Sequence, residues 1–307
     1  MRILITGGNG FIGSHFVGRA VKAGHEVSVL SRKARPVFAH GQEFQHLPGG
    51  YEALAAHPEW LEGVETVVHA AWSSVPKTAT ADMQGDVQAN VVGTLKLLEM
   101  LKDAPSLKHL VFLSSGGAVY GAVSGEQSIR EDHPLEPISA YGVGKLCAEK
   151  YCQLFSNETG VQLTIVRPSN PFGMGQISVG VLGVVSTFLV NAIQGNPSKI
   201  FGDGSVVRDY LHVSDLARFL CKTVECRKSG IYNCGSGIGT SLNEVVEAVE
   251  AAVGRPLVVN RIPARAFDPP HIVLDTSRAQ LNFGWTSETP LKDGISELAR
   301  ELCSHAD

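Results

Sequence analysis

The stretch Thr6-Gly7-Gly8-Asn9-Gly10-Phe11-Ile12-Gly13-Ser14 follows the apolar run Ile3-Leu4-Ile5 and leads into a helix-like segment, Phe16 to Ala23. A strand that turns on glycines into a helix makes an anion site. The first helical N–H groups have no partner within the helix, and its dipole favours negative charge there. Gly7, Gly10 and Gly13 have the spacing for a tight turn, for close approach of backbone to a pyrophosphate, and for packing of helix on strand. Gly8, Gly10 and Gly13 also satisfy G-x-G-x-x-G, so spacing alone does not choose between subfamilies. A purely structural glycine turn is the plain alternative.

At 307 residues the chain is long enough for a doubly wound domain and a smaller one, and 44% hydrophobic with 18% charged residues is ordinary for a globular protein. A formal net charge of -4 gives no reason to expect nucleic acid or an anionic membrane surface as a partner. No apolar run is long enough to span a bilayer, and Met1-Arg2 enters a strand without a signal-peptide pattern, so the expected location is cytoplasmic. The six cysteines are scattered without a C-x-x-C pair, and the eleven histidines show no ligand spacing. Reduced thiols and no metal site are therefore expected.

Glu26-Val27-Ser28-Val29-Leu30 reads as the second strand, and the residue at its end bears on which dinucleotide is bound. An acidic side chain there would accept the ribose hydroxyls of NAD. This strand ends in Ser31-Arg32-Lys33, a hydroxyl and two cations that suit the extra phosphate of NADP, or else a solvated basic loop. A short apolar piece from Phe44 to Leu47 is read as a third strand and Glu65-Thr66-Val67-Val68-His69-Ala70-Ala71 as a fourth, with His69 as a packing residue. Apolar residues at helical spacing predict a long amphipathic helix over 82–102. The next strand, Leu107 to Ser115, ends in Ser114-Ser115-Gly116-Gly117-Ala118-Val119-Tyr120-Gly121, at the end of an open parallel sheet where ligands sit.

A second long helix is predicted over 137–160, and it carries Tyr141-Gly142-Val143-Gly144-Lys145. Tyrosine and lysine four apart share one helix face, and the ammonium would favour the phenolate. Alone, such a pair is common surface decoration. After a glycine turn and a serine-bearing strand tip it reads as an acid/base pair. A further strand, Val161 to Val166, leads to Arg167-Pro168-Ser169-Asn170-Pro171-Phe172-Gly173. The expected division is a Rossmann-type domain over residues 1–168 and a mainly substrate-binding region over 169–307, with room for the chain to cross back.

With these pieces assembled, the chain resembles the extended short-chain dehydrogenase/reductase family, in particular nucleotide-sugar epimerases and dehydratases of the UDP-glucose 4-epimerase type. The likeness runs through Thr6 to Ser14, Asn90-Val91-Val92-Gly93-Thr94-Leu95, Ser114-Ser115 with Val119-Tyr120-Gly121, Tyr141 to Lys145, Asn170 to Gly173, Arg208-Asp209-Tyr210-Leu211-His212, and Arg265 with Asp268. It implies an α/β fold, a doubly wound parallel sheet with a smaller C-terminal region, and NAD or NADP as cofactor. Gly7, Gly10, Phe11, Ile12, Gly13, Ser31, Arg32, Ala70, Ala71, Asn90, Tyr141, Lys145 and Pro168 would line the cofactor. Tyr141 would be the acid/base and Lys145 its partner, with Ser115 or Ser114 holding the substrate. Asn170, Arg208, Arg265, Asp268 and Ile272 would contact a nucleotide-diphosphate sugar. Two long helices pairing across a homodimer are also implied.

The departures matter too. Gly116 stands where relatives carry serine or threonine, Ala118 replaces a frequent threonine, and Trp72 fills a place that is normally small. His46 falls about where relatives carry an adenine-binding aspartate. The expected reaction is C4 epimerisation of a UDP-hexose through a transient 4-ketone. A 4-keto sugar reductase using NADPH, motivated by Ser31-Arg32, and a dinucleotide-sensing module that has lost turnover are the alternatives.

Overall fold

The computed structural model describes residues 1–32, 43–123, 125, 127–176, 183–264 and 269–304. Lys33, Arg265 and Asp268 lie outside them. In chain order the strands and helices begin β1 (Arg2–Thr6), α1 (Phe11–Lys22), β2 (Glu26–Ser31), β3 (Gln45–Pro48), α2 (Glu52–Ala56) and β4 (Thr66–His69). Next come α3 (Pro76–Ala81), α4 (Met83–Asp86), α5 (Val92–Lys102), β5 (His109–Leu113), α6 (Gly116–Val119), α7 (Ala140–Thr159) and β6 (Gln162–Pro168). The remainder is β7 (Asn170–Phe172), α8 (Val184–Gln194), β8 (Ser198–Phe201), β9 (Val207–His212), α9 (Val213–Cys226), β10 (Gly230–Cys234), β11 (Gly239–Ser241), α10 (Leu242–Val253), β12 (Val259–Ile262), β13 (His271–Ile272), α11 (Ser277–Phe283) and α12 (Leu291–Ser304).

Seven strands form one sheet in the order β10-β6-β5-β4-β1-β2-β3. β1 pairs parallel with β2 and β4, β2 with β3, β4 with β5, and β5 with β6. β4 and β5 are buried at every position, as expected of parallel strands covered by helices on both faces. The chain divides into two compact units. The first comprises Met1–Val119, Pro137–Arg167 and Ala217–Tyr232, with a core that includes Leu4, Leu30, Val67, Leu97, Leu110, Phe112, Cys152 and Ile165. The second comprises Tyr120–Glu136, Pro168–Leu216 and Asn233–Asp307, with a separate core around Phe172, Phe188, Tyr210, Val249 and Leu298. In the second unit β9 pairs with β11, β13 and β7.

Two predicted helices differ in detail. The first starts at Phe11, directly on the glycine turn, rather than at Phe16. The helix expected over 82–102 is α4 and α5 joined by a π-helical turn, Val87–Val91, a local widening that recurs at functional sites. α7 is closed at both ends. The Ser139 side chain accepts from Gly142 N at 3.1 Å, and Gly160 ends the helix with φ +75, where a side chain would be strained.

The inner face of α7 is bolted to the sheet by charge. Glu149 and Arg167 are both 1% exposed at the side chain, and the guanidinium reaches the carboxylate with Nε at 2.9 Å and Nη2 at 2.6 Å. The Ser114 hydroxyl donates to the same Glu149 oxygen that receives Nε. One carboxylate thus joins α7, β6 and the tip of β5. Removing one partner of such a pair leaves an uncompensated buried charge and costs about 3–5 kcal/mol. Arg167→Met is expected to lose that much in urea unfolding, and the double variant Glu149→Leu/Arg167→Met to regain most of it. Equal instability of single and double variants would contradict this account.

Candidate active site

The turn between β1 and α1 is closed by backbone. Gly7 has φ +77, and a Cβ there would lie 2.6 Å from the Ala71 amide nitrogen. A Cβ at Gly13 would lie 2.1 Å from the Gly7 carbonyl oxygen. Gly8 is also crowded, with Val29 Cγ1 2.7 Å from its Cβ position, but its backbone is not left-handed. The tight turn therefore falls on Gly7. Gly10 is the N-cap of α1, with no side chain capping the helix, so the leading N–H groups remain available to an anion. A cleft of about 320 Å³ opens beside this turn, lined among others by Gly7, Ser31, Arg32, Tyr51, Trp72 and Asn90. Bare glycine backbone, an uncapped helix end and a cleft at the ends of parallel strands fit a dinucleotide. Phe11 and Ile12 open the helix itself.

The far wall of the cleft is held by a chain of hydrogen bonds. Thr94 Oγ1 donates to Asn90 O at 2.7 Å, so it accepts from His69 Nε2 at 3.0 Å, and His69 Nδ1 accepts from Thr6 Oγ1 at 2.7 Å. Thr6 Oγ1 in turn accepts from Ala71 N at 3.4 Å. His69 is a packing residue as expected: both ring nitrogens are used and burial lowers its pKa to about 3, so it stays neutral. Asn90 lines the cleft, but its amide is already committed. Oδ1 accepts from Ser73 N at 2.8 Å and Ser73 Oγ at 3.1 Å, while Nδ2 donates to Asp86 Oδ1 at 2.8 Å and Ser74 Oγ at 3.2 Å. That uses the side chain's full capacity and gives it the task of fixing the segment after β4. Ser74 Oγ also donates to Asp86 Oδ1.

Tyr141 and Lys145 lie on one face of α7, against Trp72, and neither lines the cleft itself. The Tyr141 ring packs edge-on against Trp72 with centroids 6.1 Å apart, and Ser115 is the hydroxyl that acts on its phenol. Lys145 is 3% exposed and donates to Leu113 O at 2.7 Å, and its Nζ lies 3.9 Å from the centre of the Trp72 ring. A desolvated ammonium–indole contact is worth about 2 kcal/mol. The expectation that Lys145 lowers the Tyr141 pKa does not hold in this arrangement. Burial pushes the phenol up to about 12, with the Ser115 hydrogen bond opposing and the Asp86 charge adding to the rise. Burial also pulls Lys145 down to about 7, against the charges of Glu149, Cys152 and Asp86. Desolvation outweighs the pairwise attraction because both groups leave water together.

Of the two candidate serines, Ser115 acts to lower the Tyr141 pKa whereas Ser114 is committed to Glu149. Ser31 Oγ accepts from Asn9 Nδ2 at 2.9 Å at the cleft, where Arg32 is exposed. His46 Nε2 is 3.2 Å from Ser31 O. Ala70 takes the β1–β4 pairing one step further, its N–H donating to Thr6 O at 3.1 Å, and Pro168 is the buried last residue of β6. In the second unit, Asn170, Arg208 and Ile272 come together on β7, β9 and β13. Arg208 stands opposite Ile272, and Asn170 Nδ2 donates to Asp209 O at 2.9 Å. Ile272 is 4% exposed. Tyr51, Asp86 and Glu149 were missed by the sequence reading. Glu149 repeats the four-residue step from Lys145, a signal the sequence carried, whereas nothing marked Tyr51. Among the described residues no group of three or more His, Cys, Asp or Glu could hold a metal ion, and no helix is long and apolar enough to cross a membrane.

Sheet order, glycine turn and cleft define a Rossmann-type dinucleotide-binding protein. The family model for the NAD dependent epimerase/dehydratase family matches residues 3–235. A UDP-glucose 4-epimerase from Mycolicibacterium smegmatis is 33% identical over 306 residues, covering 97% of each chain. A dTDP-4-dehydro-6-deoxyglucose reductase from Escherichia coli is 28% identical over 98% of this chain and 97% of its own. The crystal structure of Thermus thermophilus UDP-glucose 4-epimerase in complex with NAD superposes with a TM-score of 0.88 at 30% identity, covering 99% of both chains. The chain belongs to the NAD dependent epimerase/dehydratase family and is an NAD-dependent enzyme.

The lowered Lys145 pKa makes stability depend on pH. Between about 7 and 10.5 the unfolded chain holds a proton that the folded chain has lost, so folding strengthens as pH rises, by up to about 1.4 kcal/mol per unit. Thermal unfolding of Lys145→Met should lack the share of the pH 7 to 9 gain that the wild-type protein shows. Parallel profiles for the two proteins would refute the assignment.

Proposed function

We propose that the enzyme is a nucleotide-sugar epimerase acting at C4 of a UDP-hexose. The observation that carries this reading is the Tyr141 phenol beside Ser115, one helical turn from the buried Lys145, with both packed against Trp72 of the cleft lining. Bound NAD would accept hydride from the sugar and return it, and in its oxidised form would add positive charge near the phenol. Gly7, Gly10 and Gly13 with the end of α1 would hold the diphosphate, and Ser31 and Arg32 the adenosine side. Tyr141 would take the proton of the sugar 4-hydroxyl as C4 gives up hydride, and would return it to the C4 oxygen when hydride comes back to the other face of the turned ketone. Ser115 would orient the phenol, and the Lys145 ammonium, which does not by itself overcome the burial of Tyr141, would act together with the positive charge of the oxidised cofactor. Asn170 and Arg208 would bind the nucleotide diphosphate, as would Arg265 and Asp268. In place of a single cut between residues 168 and 169, the unit of Met1–Val119, Pro137–Arg167 and Ala217–Tyr232 would serve the cofactor and the other unit mainly the substrate. UDP-glucose is the substrate named for relatives, which supports this choice of sugar nucleotide.

A second reading has its own support. Ser31 and Arg32 at the cleft suit a 2′-phosphate, and one relative is named a reductase of a dTDP-4-dehydro sugar. An NADPH-dependent 4-keto nucleotide-sugar reductase would use the same Tyr141 as proton donor.

Purified enzyme incubated with UDP-glucose should yield UDP-galactose with no net change in absorbance at 340 nm. Tyr141→Phe should lower that rate by a factor on the order of 10² to 10⁴. Stoichiometric NADPH loss with a 4-keto sugar, and no epimer interconversion, would replace the epimerase reading with the reductase one. Conversion unchanged in Tyr141→Phe would remove both.

The enzyme would work as a homodimer through α4 and α7. Met83 and Val87 are 58% and 48% exposed on one helical stretch, and Val143 and Leu154 are 54% and 53% exposed on the other. Large apolar side chains in such a stripe support pairing with a second copy. Val143→Glu/Leu154→Glu is expected to sediment at half the wild-type mass, and a wild-type protein that sediments as a monomer would refute the assembly.

A further inference from the structure

Lys145 donates one hydrogen bond among the described residues, to Leu113 O, although an ammonium has three donors. The rest of its shell is aromatic: the ring centres of Trp72, Phe112 and Tyr141 lie 3.9, 5.3 and 5.8 Å from Nζ. These rings are not equivalent. Phe112 is fully buried on β5, and Tyr141 is carried on the same helix as Lys145. Trp72 alone of the three lines the cleft, and it stands on the irregular segment after β4.

The position of Trp72 is not set by its own polar group. Its indole Nε1 is buried without a hydrogen-bond partner, as is Asp86 Oδ2. Both side chains pack on Gly144, where a Cβ would lie 3.3 Å from Asp86 Oδ2 and 3.3 Å from Trp72 Cζ2. A buried donor left unpaired is costly, so shape and the ammonium contact must hold the ring here. Gly144, midway between Tyr141 and Lys145 on the same helix, provides the space.

We propose that Trp72 is a positioning residue for Lys145: the indole, seated on the bare Cα of Gly144, covers the ammonium on its cleft side and keeps it aimed at Leu113 O beside Tyr141. The inference rests on the dinucleotide-dependent chemistry proposed above. Trp72 is also part of the cleft lining, so the ring that meets the ammonium belongs to the wall met by whatever fills the cleft.

Three proteins test it: wild type, Trp72→Phe and Trp72→Leu. A ring without the indole keeps part of the attraction, whereas leucine keeps none, so Trp72→Leu should lower kcat about tenfold and Trp72→Phe should stay within about threefold of wild type. The KM for the nucleotide sugar should change by less than about twofold in both, because the ammonium rather than the substrate has lost its contact. Trp60 and Trp285 remain in both variants. Saturation with oxidised NAD, followed in parallel by calorimetry, should change tryptophan emission in the wild type, and Trp72→Phe should bind NAD with most of that change gone. Leucine as active as tryptophan, phenylalanine as impaired as leucine, or an emission change that survives in Trp72→Phe would each overturn the inference. If Trp72→Leu fails to fold, the emission comparison with Trp72→Phe decides alone. Wild-type protein that binds no NAD by calorimetry would overturn the cofactor reading and this inference with it. Binding without any emission change would overturn only the role of Trp72.

Discussion

The buried contact between Glu149 and Arg167 fixes where everything on α7 stands. Tyr141, Lys145 and Glu149 follow one another at four-residue steps, so the phenol is about 12 Å along the helix from the carboxylate. A carboxylate held by two guanidinium nitrogens and a hydroxyl cannot slide, and the helix cannot rotate without breaking it. Charge burial of this kind contributes little net stability against an apolar replacement. Its product is register, because only one seating of α7 on β5 and β6 satisfies all three donors.

Within that register the reacting pair is held in a conflicted electrostatic state. Dehydration favours the neutral form of both Tyr141 and Lys145, raising one pKa and lowering the other. Asp86 favours the charged lysine and the uncharged tyrosine at once. Each influence on the phenol other than Ser115 keeps its proton in place. Positive charge brought near the phenol would shift that balance toward its deprotonated form.

Much of this was legible in the sequence, for reasons that differ by residue. The β1 turn was visible because left-handed backbone and close packing leave glycine as the fitting residue at 7 and 13, so physics writes itself into identity. The strands β4 and β5 were visible as apolar runs because both faces are covered. Tyr141 and Lys145 were found by helical spacing, which reports a shared face but says nothing of dehydration, and the expected phenol pKa accordingly moved in the wrong direction. Asn90 was expected at the cofactor and does line the cleft. Its saturation by Ser73, Ser74 and Asp86 depends on a π-helical turn that no propensity marks. Tyr51 joins the cleft from a part of the chain with no periodic signal at all.

The contact of Gly7 with the backbone of Ala71 carries a consequence for how this family member can vary. A Cβ on Gly7 would stand 2.6 Å from the Ala71 amide nitrogen, so the glycine turn and the segment leading to Trp72 are braced directly against each other. Identity can change at residue 72 without disturbing that contact. Length cannot, since a single insertion between His69 and Trp72 would withdraw the backbone that braces the turn. Diversity in this enzyme should accumulate as exchange of side chains along the rim, with the count of residues from β4 to the rim kept constant.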